Sequence, residues 1–229
     1  MLCAAVDTSG STILTVVTDG DGRVLGAGAH EHTAGNASRL SGILADCVDE
    51  AGVELSDLER LGAGVGPGSF IGTRTGVAFI NAVATSLSLP VVALNSLQTA
   101  AAVTIREASN VMVVRCGRRN AYFVGEYKRG SDSMRAVPVE TEREVGNNEI
   151  PRLLEHVAEM ADSDGVHVVT DSKDFFNELE SQNPPARVDA VLRENVVDIR
   201  GMALLAAQEI SAGRTKPWVD VAYLRPAAM

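Results

Sequence analysis

Residues 66–76 read Gly66-Pro67-Gly68-Ser69-Phe70-Ile71-Gly72-Thr73-Arg74-Thr75-Gly76. Leu61–Val65 before them has the pattern of a buried strand. The residues after them, from Thr73 to Leu87, have the pattern of a helix. The stretch therefore lies at the carboxyl end of a strand and opens a helix. Glycines at such a place let the backbone turn sharply and bare its N–H groups, which is how a chain cradles an anion. The Lys-Ser/Thr ending of a P-loop is missing, and so is the glycine spacing of a dinucleotide fingerprint. Two readings stand. Gly66, Pro67, Gly68, Ser69, Phe70, Gly72 and Arg74 form an anion-binding loop, or they form a tight turn that Pro67 stiffens, with Phe70 packed inward.

The helix that follows carries Val77, Ala78, Phe79, Ile80, Ala82, Val83, Ala84 and Leu87 around nearly its whole circumference. Such a helix needs cover on more than one side. One side lies on its own sheet. Gly76, Ala78 and Ala82 leave room for a close helix on the other, supplied by a partner subunit or by the first helix and the second domain.

Upstream, Leu2–Val6, Ile13–Thr18 and Val24–His30 read as strands, the last two joined by Asp19-Gly20-Asp21-Gly22, a hairpin signal. Leu40, Ile43, Leu44, Cys47, Val48 and Ala51 form one stripe of an amphipathic helix. Asn36 or Ser38 is expected to cap it, and Gly52 to close it. Downstream come strand Val91–Leu94 and helix Leu97–Ala108, then strands Val111–Arg115, Ala121–Tyr127 and Arg135–Val139. Helix Glu149–Met160, strand Val166–Thr170 and helix Lys173–Glu180 follow. After Asn183-Pro184-Pro185, a last helix carries Ile199, Met202, Ala203, Ala206 and Ile210, and Trp218–Arg225 reads as extended. Strands precede helices twice over. This is a duplicated βββαβα unit, an α/β chain with the rhythm of the actin, hexokinase and Hsp70 fold (actin-like, ribonuclease H-like). Domains of 1–105 and 106–229 are expected, the last helix and tail packing back on the first.

A chain of 229 residues suffices for two small domains, and 45% apolar with 22% charged residues suits a globular one. No run of eighteen apolar residues spans a membrane. The opening Met1-Leu2-Cys3-Ala4-Ala5-Val6-Asp7 lacks a basic leader, so no secretory signal is expected. Cys3, Cys47 and Cys116 stand far apart, which points to a reducing compartment; Cys3 and Cys47 are expected to be small buried residues. The net charge of −10 opposes an unaided grip on nucleic acid. Arg115, Arg118, Arg119, Lys128 and Arg129 make either a small basic patch or a solvated hairpin. His30 and His32 share one strand face, but no third ligand is suggested, so no metal site is assigned. Ser69 has no base placed to activate it, and no catalytic residue is assigned.

The pattern Gly-Pro-Gly-Ser-Phe-x-Gly-x-Arg-x-Gly resembles the hallmark of the TsaB (YeaZ) family of tRNA threonylcarbamoyladenosine biosynthesis, related to glycoprotease-like proteins. Val6-Asp7-Thr8-Ser9 is similar to that family's opening Asp-Thr-Ser. Val111 to Tyr127 resembles its segment around Asp-Ala-Arg, and Tyr223-Leu224-Arg225 its closing Tyr-Leu-Arg. The chain departs from the pattern at Ile71, where the family usually has Thr, and at Asn36 and Gly42, where it commonly has His and Pro. Cys116-Gly117-Arg118 replaces Asp-Ala-Arg.

The resemblance implies a non-catalytic scaffold that pairs with TsaD through the helices of its first domain. The ATPase TsaE would join that pair, and tRNA would be reached only through the complex. It implies a cytoplasmic subunit that needs no cofactor itself, ATP entering with the complex. Monomer and homodimer both stay open for the chain alone: when TsaD is missing the same surface could pair with itself, a two-fold helix bundle being a common solution for one apolar patch. TsaD's His-x-x-x-His metal motif has no counterpart among His30, His32, His156 and His167. The interface candidates are Leu40, Ile43, Leu44 and Cys47, which compete with an internal core, and Arg74, Val77, Ile80, Asn81 and Ala84. The rival reading is an enzyme that binds and splits ATP in the cleft between the domains, with Asp7, Thr8, Ser9 and the glycine motif around the phosphates. Cys116 in place of the second-domain acid favours instead a turn-stabilising role for Asp7.

Overall fold

The computed structural model describes residues 1–31, 36–118, 121–131, 135–222 and 224. The chain divides into two compact units, residues 1–99 with 197–223 and residues 100–196 with 224–229. The boundary falls a few residues before the expected 105/106, inside a helix, and the last helix belongs to the first unit.

In the first unit, strands β1 (Cys3–Asp7), β2 (Thr12–Thr18) and β3 (Val24–Glu31) form an antiparallel meander. Its second turn is tight because the Asp19 carboxylate accepts from the backbone N–H of Asp21 at 3.0 Å and of Arg23 at 2.9 Å. Helix α1 (Leu40–Glu50) leads to β4 (Arg60–Gly66). Helix α2 (Phe70–Leu87) leads to β5 (Val91–Asn95), and α3 (Ser96–Thr104) follows. Strands β4 and β5 add in parallel to β1, and the sheet order is β3-β2-β1-β4-β5. Leu40, Ile43, Leu44, Cys47 and Val48 of α1 and Val77, Ile80 and Ala84 of α2 close one core with Val6, Ile13 and Leu61 of the strands. Entry to α1 differs from expectation. A 3-10 turn (Asn36–Arg39) precedes it, and the N-cap is Arg39 without a side-chain cap bond. Gly52 closes the helix at φ +70° as expected.

The second unit repeats this wiring. Strands β6 (Asn110–Cys116) and β7 (Ala121–Arg129) are antiparallel. The third place in the sheet is split, because β8 (Ala136–Pro138) pairs with one end of β7 and β9 (Arg143–Gly146) with the other. Helix α4 (Ile150–Ser163), β10 (Val166–Thr170), α5 (Lys173–Ser181) and β11 (Val188–Leu192) follow. β10 lies parallel between β6 and β11, so the order is again third, second, first, fourth, fifth. Strands β9 and β11 escape the sequence reading. The first is four residues with one buried apolar side chain, Val145, and the second is largely exposed. Helix α6 (Ile199–Ser211) packs on β2 and β5 of the first sheet. Among the described residues no helix is long and apolar enough to cross a membrane.

Candidate functional site

The glycine stretch and the end of β1 form one buried polar knot in the first unit. Asp7, Thr8 and Ser9 are each 1% exposed. Asp7 Oδ1 accepts from Ser9 N at 2.7 Å and Ser9 Oγ at 2.6 Å. Asp7 Oδ2 accepts from Ser96 Oγ at 2.8 Å, and the two serine hydroxyls lie 3.0 Å apart. The carboxylate is thus met by three donors of its own chain, as a buried charge requires. Thr8 Oγ1 donates to the Gly72 carbonyl at 2.7 Å, and Ser69 N donates to the Ser9 carbonyl at 2.7 Å. These bonds tie the first turn of α2 to the end of β1.

The turn itself needs its glycines. Gly66 sits at φ +93°, where a side chain is strained. Added Cβ atoms would collide with the Asp7 carboxylate at Gly64 and with Thr8 Oγ1 at Gly76. The helix begins at Phe70, earlier than the expected Thr73, because Ser69 caps it: its Oγ accepts from Gly72 N at 3.3 Å. Phe70 is not packed inward. It is exposed, and the Arg74 guanidinium lies 3.8 Å over its ring. Ser96 has no mark in the sequence beyond its place at the end of a strand, and Gly64 was hidden in an apolar run.

The interface candidates separate by burial. Leu40, Ile43, Leu44, Cys47, Val77, Ile80 and Ala84 are at most 5% exposed and belong to the unit's own core. For the α1 stripe the competition between core and interface resolves to core. Val77, Ile80 and Ala84 are corrected likewise, since a side chain enclosed by its own sheet has no surface left to offer. Asn81 is half-buried and holds the backbone of Val219. Arg74 stays exposed. Helix α2 is therefore not covered all round: Ile71, Arg74, Ala78, Ala82 and Thr85 line one open face, with Ile71 68% exposed.

The proposed basic patch dissolves in the second unit. Arg115 is buried, its Nε 3.8 Å from Asp171 Oδ2. Arg129 donates to the carbonyls of Ile105, Arg106 and Ala108, and Arg119 lies outside the described residues. Burial pushes the Asp171 carboxyl up, against the pull of the Cys116 N–H and of Arg115. Cys116 is the exposed cysteine; Cys3 and Cys47 are buried as expected. Among the described residues no group of three His, Cys, Asp or Glu side chains could hold a metal ion, and His32 lies outside them. So do Tyr223 and Arg225 of the closing motif. A cavity of about 440 Å³ in the second unit is acidic: five glutamates line it against Arg143, Arg152 and His156, and Glu126 meets Arg143 at 3.2 Å and His156 at 3.0 Å.

The family model of TsaD, described as tRNA N6-adenosine threonylcarbamoyltransferase, matches residues 31–169, more than half of the chain. The tRNA threonylcarbamoyladenosine biosynthesis protein TsaB of Escherichia coli (strain K12) is 29% identical over 106 residues. That match spans 45% of this chain and 44% of the relative, less than half of its length. Two solved structures from Pseudomonas aeruginosa share the fold at 23% identity. YeaZ has a TM-score of 0.75, covering 100% of this chain and 99% of its own. A protein described as similar to peptidase YEAZ has a TM-score of 0.80, covering 98% and 99%. The architecture is the two-unit actin-like α/β fold that the strand rhythm predicts.

Proposed function

We propose, from the premise that the chain belongs to the family described by the TsaD model and to its TsaB (YeaZ) members, that it is a non-catalytic subunit in the biosynthesis of threonylcarbamoyladenosine on tRNA. Its work is to bind and steady TsaD in the cytoplasm, with TsaE joining the pair and tRNA held by the complex. One observation carries the reading: Asp7, the acid an ATP-splitting site would use, is 1% exposed and already met by Ser9 and Ser96. The knot braces a scaffold; it leaves no carboxylate open to a hydrated cation. The net charge of −10 supports a subunit that leaves the phosphate grip to another chain.

The docking surface in this reading is the open face of α2, Ile71, Arg74, Ala78 and Ala82, whose small side chains let a partner helix come close. Without TsaD the same face pairs two copies of this chain. The test is size exclusion of the chain with TsaD from the same genome at micromolar concentration. A one-to-one complex is expected, and separate elution with ATP and TsaE present would overturn the scaffold role. A melting curve with ATP and magnesium checks the rival enzyme, since nucleotide at a hundred times its dissociation constant stabilises by about 2.7 kcal/mol.

A further inference from the structure

A cavity of about 310 Å³ opens in the second unit between the amino end of α4, strand β7 and α5. Its aromatic wall is Tyr122 tilted on Phe175, ring centroids 5.9 Å apart. Tyr122 is 8% exposed, and its phenol has no hydrogen-bond partner among the described residues although it lines the cavity. The hydroxyl itself is not enclosed, so it faces the opening, where an entering ligand can meet it. Asp174 and Glu178, one turn apart on α5, line the same cavity. Neither carboxylate has an ion-pair partner among the described residues, and no described lysine or arginine lines the space. Like charges one turn apart on a helix repel by a few tenths of a kcal/mol, so a cation between them is favoured. Ile150 and Pro151 add an apolar side that a bare ion would not need.

We propose that this cavity binds a small alkylammonium cation, a di- or polyamine, with an ammonium group between Asp174 and Glu178 and its methylene stem against Tyr122, Ile150 and Pro151. The ring face attracts the cation, and the phenol oxygen accepts from the ammonium. The apolar side accommodates the stem as it would that of a lysine. A divalent metal fits less well, because no described cluster of three ligating side chains stands there.

The chain carries its own reporter. Cys116 is exposed while Cys3 and Cys47 are buried, and burial, then Asp171, then Asp174 hold its thiol above the ordinary value. A cation at Asp174 relieves part of that effect and speeds alkylation. The experiment titrates spermidine into the full chain at about 150 mM salt, reading heat by calorimetry and iodoacetamide alkylation of Cys116. Saturable binding tighter than about 1 mM is expected, with alkylation about two- to threefold faster at saturation. The double variant Asp174→Asn/Glu178→Gln loses both responses, measured against its own spermidine-free rate, and Tyr122→Phe weakens binding several-fold. Absence of saturable heat overturns the proposal. So does equal binding by the double variant, or the same response to magnesium chloride at matched ionic strength, which would show charge screening only.

Discussion

The side-chain amide of Asn81 exchanges two hydrogen bonds with the backbone of Val219: Nδ2 donates to the carbonyl at 2.9 Å, and Oδ1 accepts from the N–H at 3.0 Å. Lys216 exchanges a second reciprocal pair with Val91, at 2.7 and 2.8 Å, and Ala222 N donates to the Val65 carbonyl at 2.9 Å. The segment after α6 is thus strapped to the first unit at three points, and α2 supplies the middle one. Asn81→Asp removes the donor and sets a carboxylate against a carbonyl. A loss of about 1–3 kcal/mol is expected in urea unfolding, with faster amide exchange confined to residues 216–222. Unchanged exchange there would deny Asn81 its strapping role.

A second prediction sets two effects of opposite sign against each other. Gly76 lies inside α2, where alanine would ordinarily stabilise by about 1 kcal/mol. Here the new methyl meets Thr8 Oγ1, with Thr8 Cβ and Cγ2 at 3.3 Å. Overpacking of this kind costs about 1–3 kcal/mol, so Gly76→Ala should destabilise on balance. Thr8→Ala removes the obstructing oxygen and also its bond to the Gly72 carbonyl. The double variant should recover part of the loss, and the thermodynamic cycle should show a favourable coupling. Additive losses would mean that the two residues do not press on one another.

How far the sequence carries the fold and site follows from where each signal is written. The alternation of strands and helices is spread over the whole chain, so the duplicated unit is legible even though the copies share no visible residues. Ile80 shows the limit. An apolar residue on an apolar helix reads the same whether it faces its own sheet or a partner, and only the folded chain tells that Ile80 is 0% exposed while Ile71 is 68% exposed. Arg115 misleads in the same way, since its partner Asp171 stands 56 residues away on the end of another strand. Ser96 joins the Asp7 knot only because parallel β1, β4 and β5 end side by side. Long-range partnerships of this kind leave no local pattern, whereas caps and turns such as Asp19 and Gly52 do.

Alkaline stability should depend on Cys3. Burial pushes its thiol from 9.0 up to about 12, with Arg60 pulling the other way. The folded chain then holds this proton more tightly than the unfolded chain does. Its contribution is complete below pH 9 and is lost as pH rises toward 12, at up to about 1.4 kcal/mol per pH unit. The Tyr127 phenol, raised well above 10.0 by burial and then Glu142, adds its own slope only at higher pH. Urea unfolding of Cys3→Ala under reducing conditions should therefore show a flatter decline between pH 9 and 10 than the parent. Parallel declines would mean that the unfolded thiol is not what titrates.

The open face of α2 gives the sharpest division between folding and partnership. Ile80→Asp would bury a carboxylate among Leu61, Val77 and the rest of the core, and its loss of TsaD binding would report only unfolding. Ile71 and Ala82 are exposed, so Ile71→Glu and Ala82→Arg should change stability by less than about 0.5 kcal/mol. A charge in the centre of a close helix contact, by contrast, weakens association by about 2 kcal/mol or more, at least tenfold in affinity. On the proposed docking, melting curves should overlay the parent while titration of TsaD shows the loss, and the proposed pairing of two copies should weaken with the same substitutions. Arg74→Ala is the finer probe, since it removes the guanidinium from the Phe70 ring and leaves the small residues in place. If TsaD binds both charged variants as tightly as the parent, α2 is not the docking helix, and the strap around the exposed Trp218 becomes the next surface to alter.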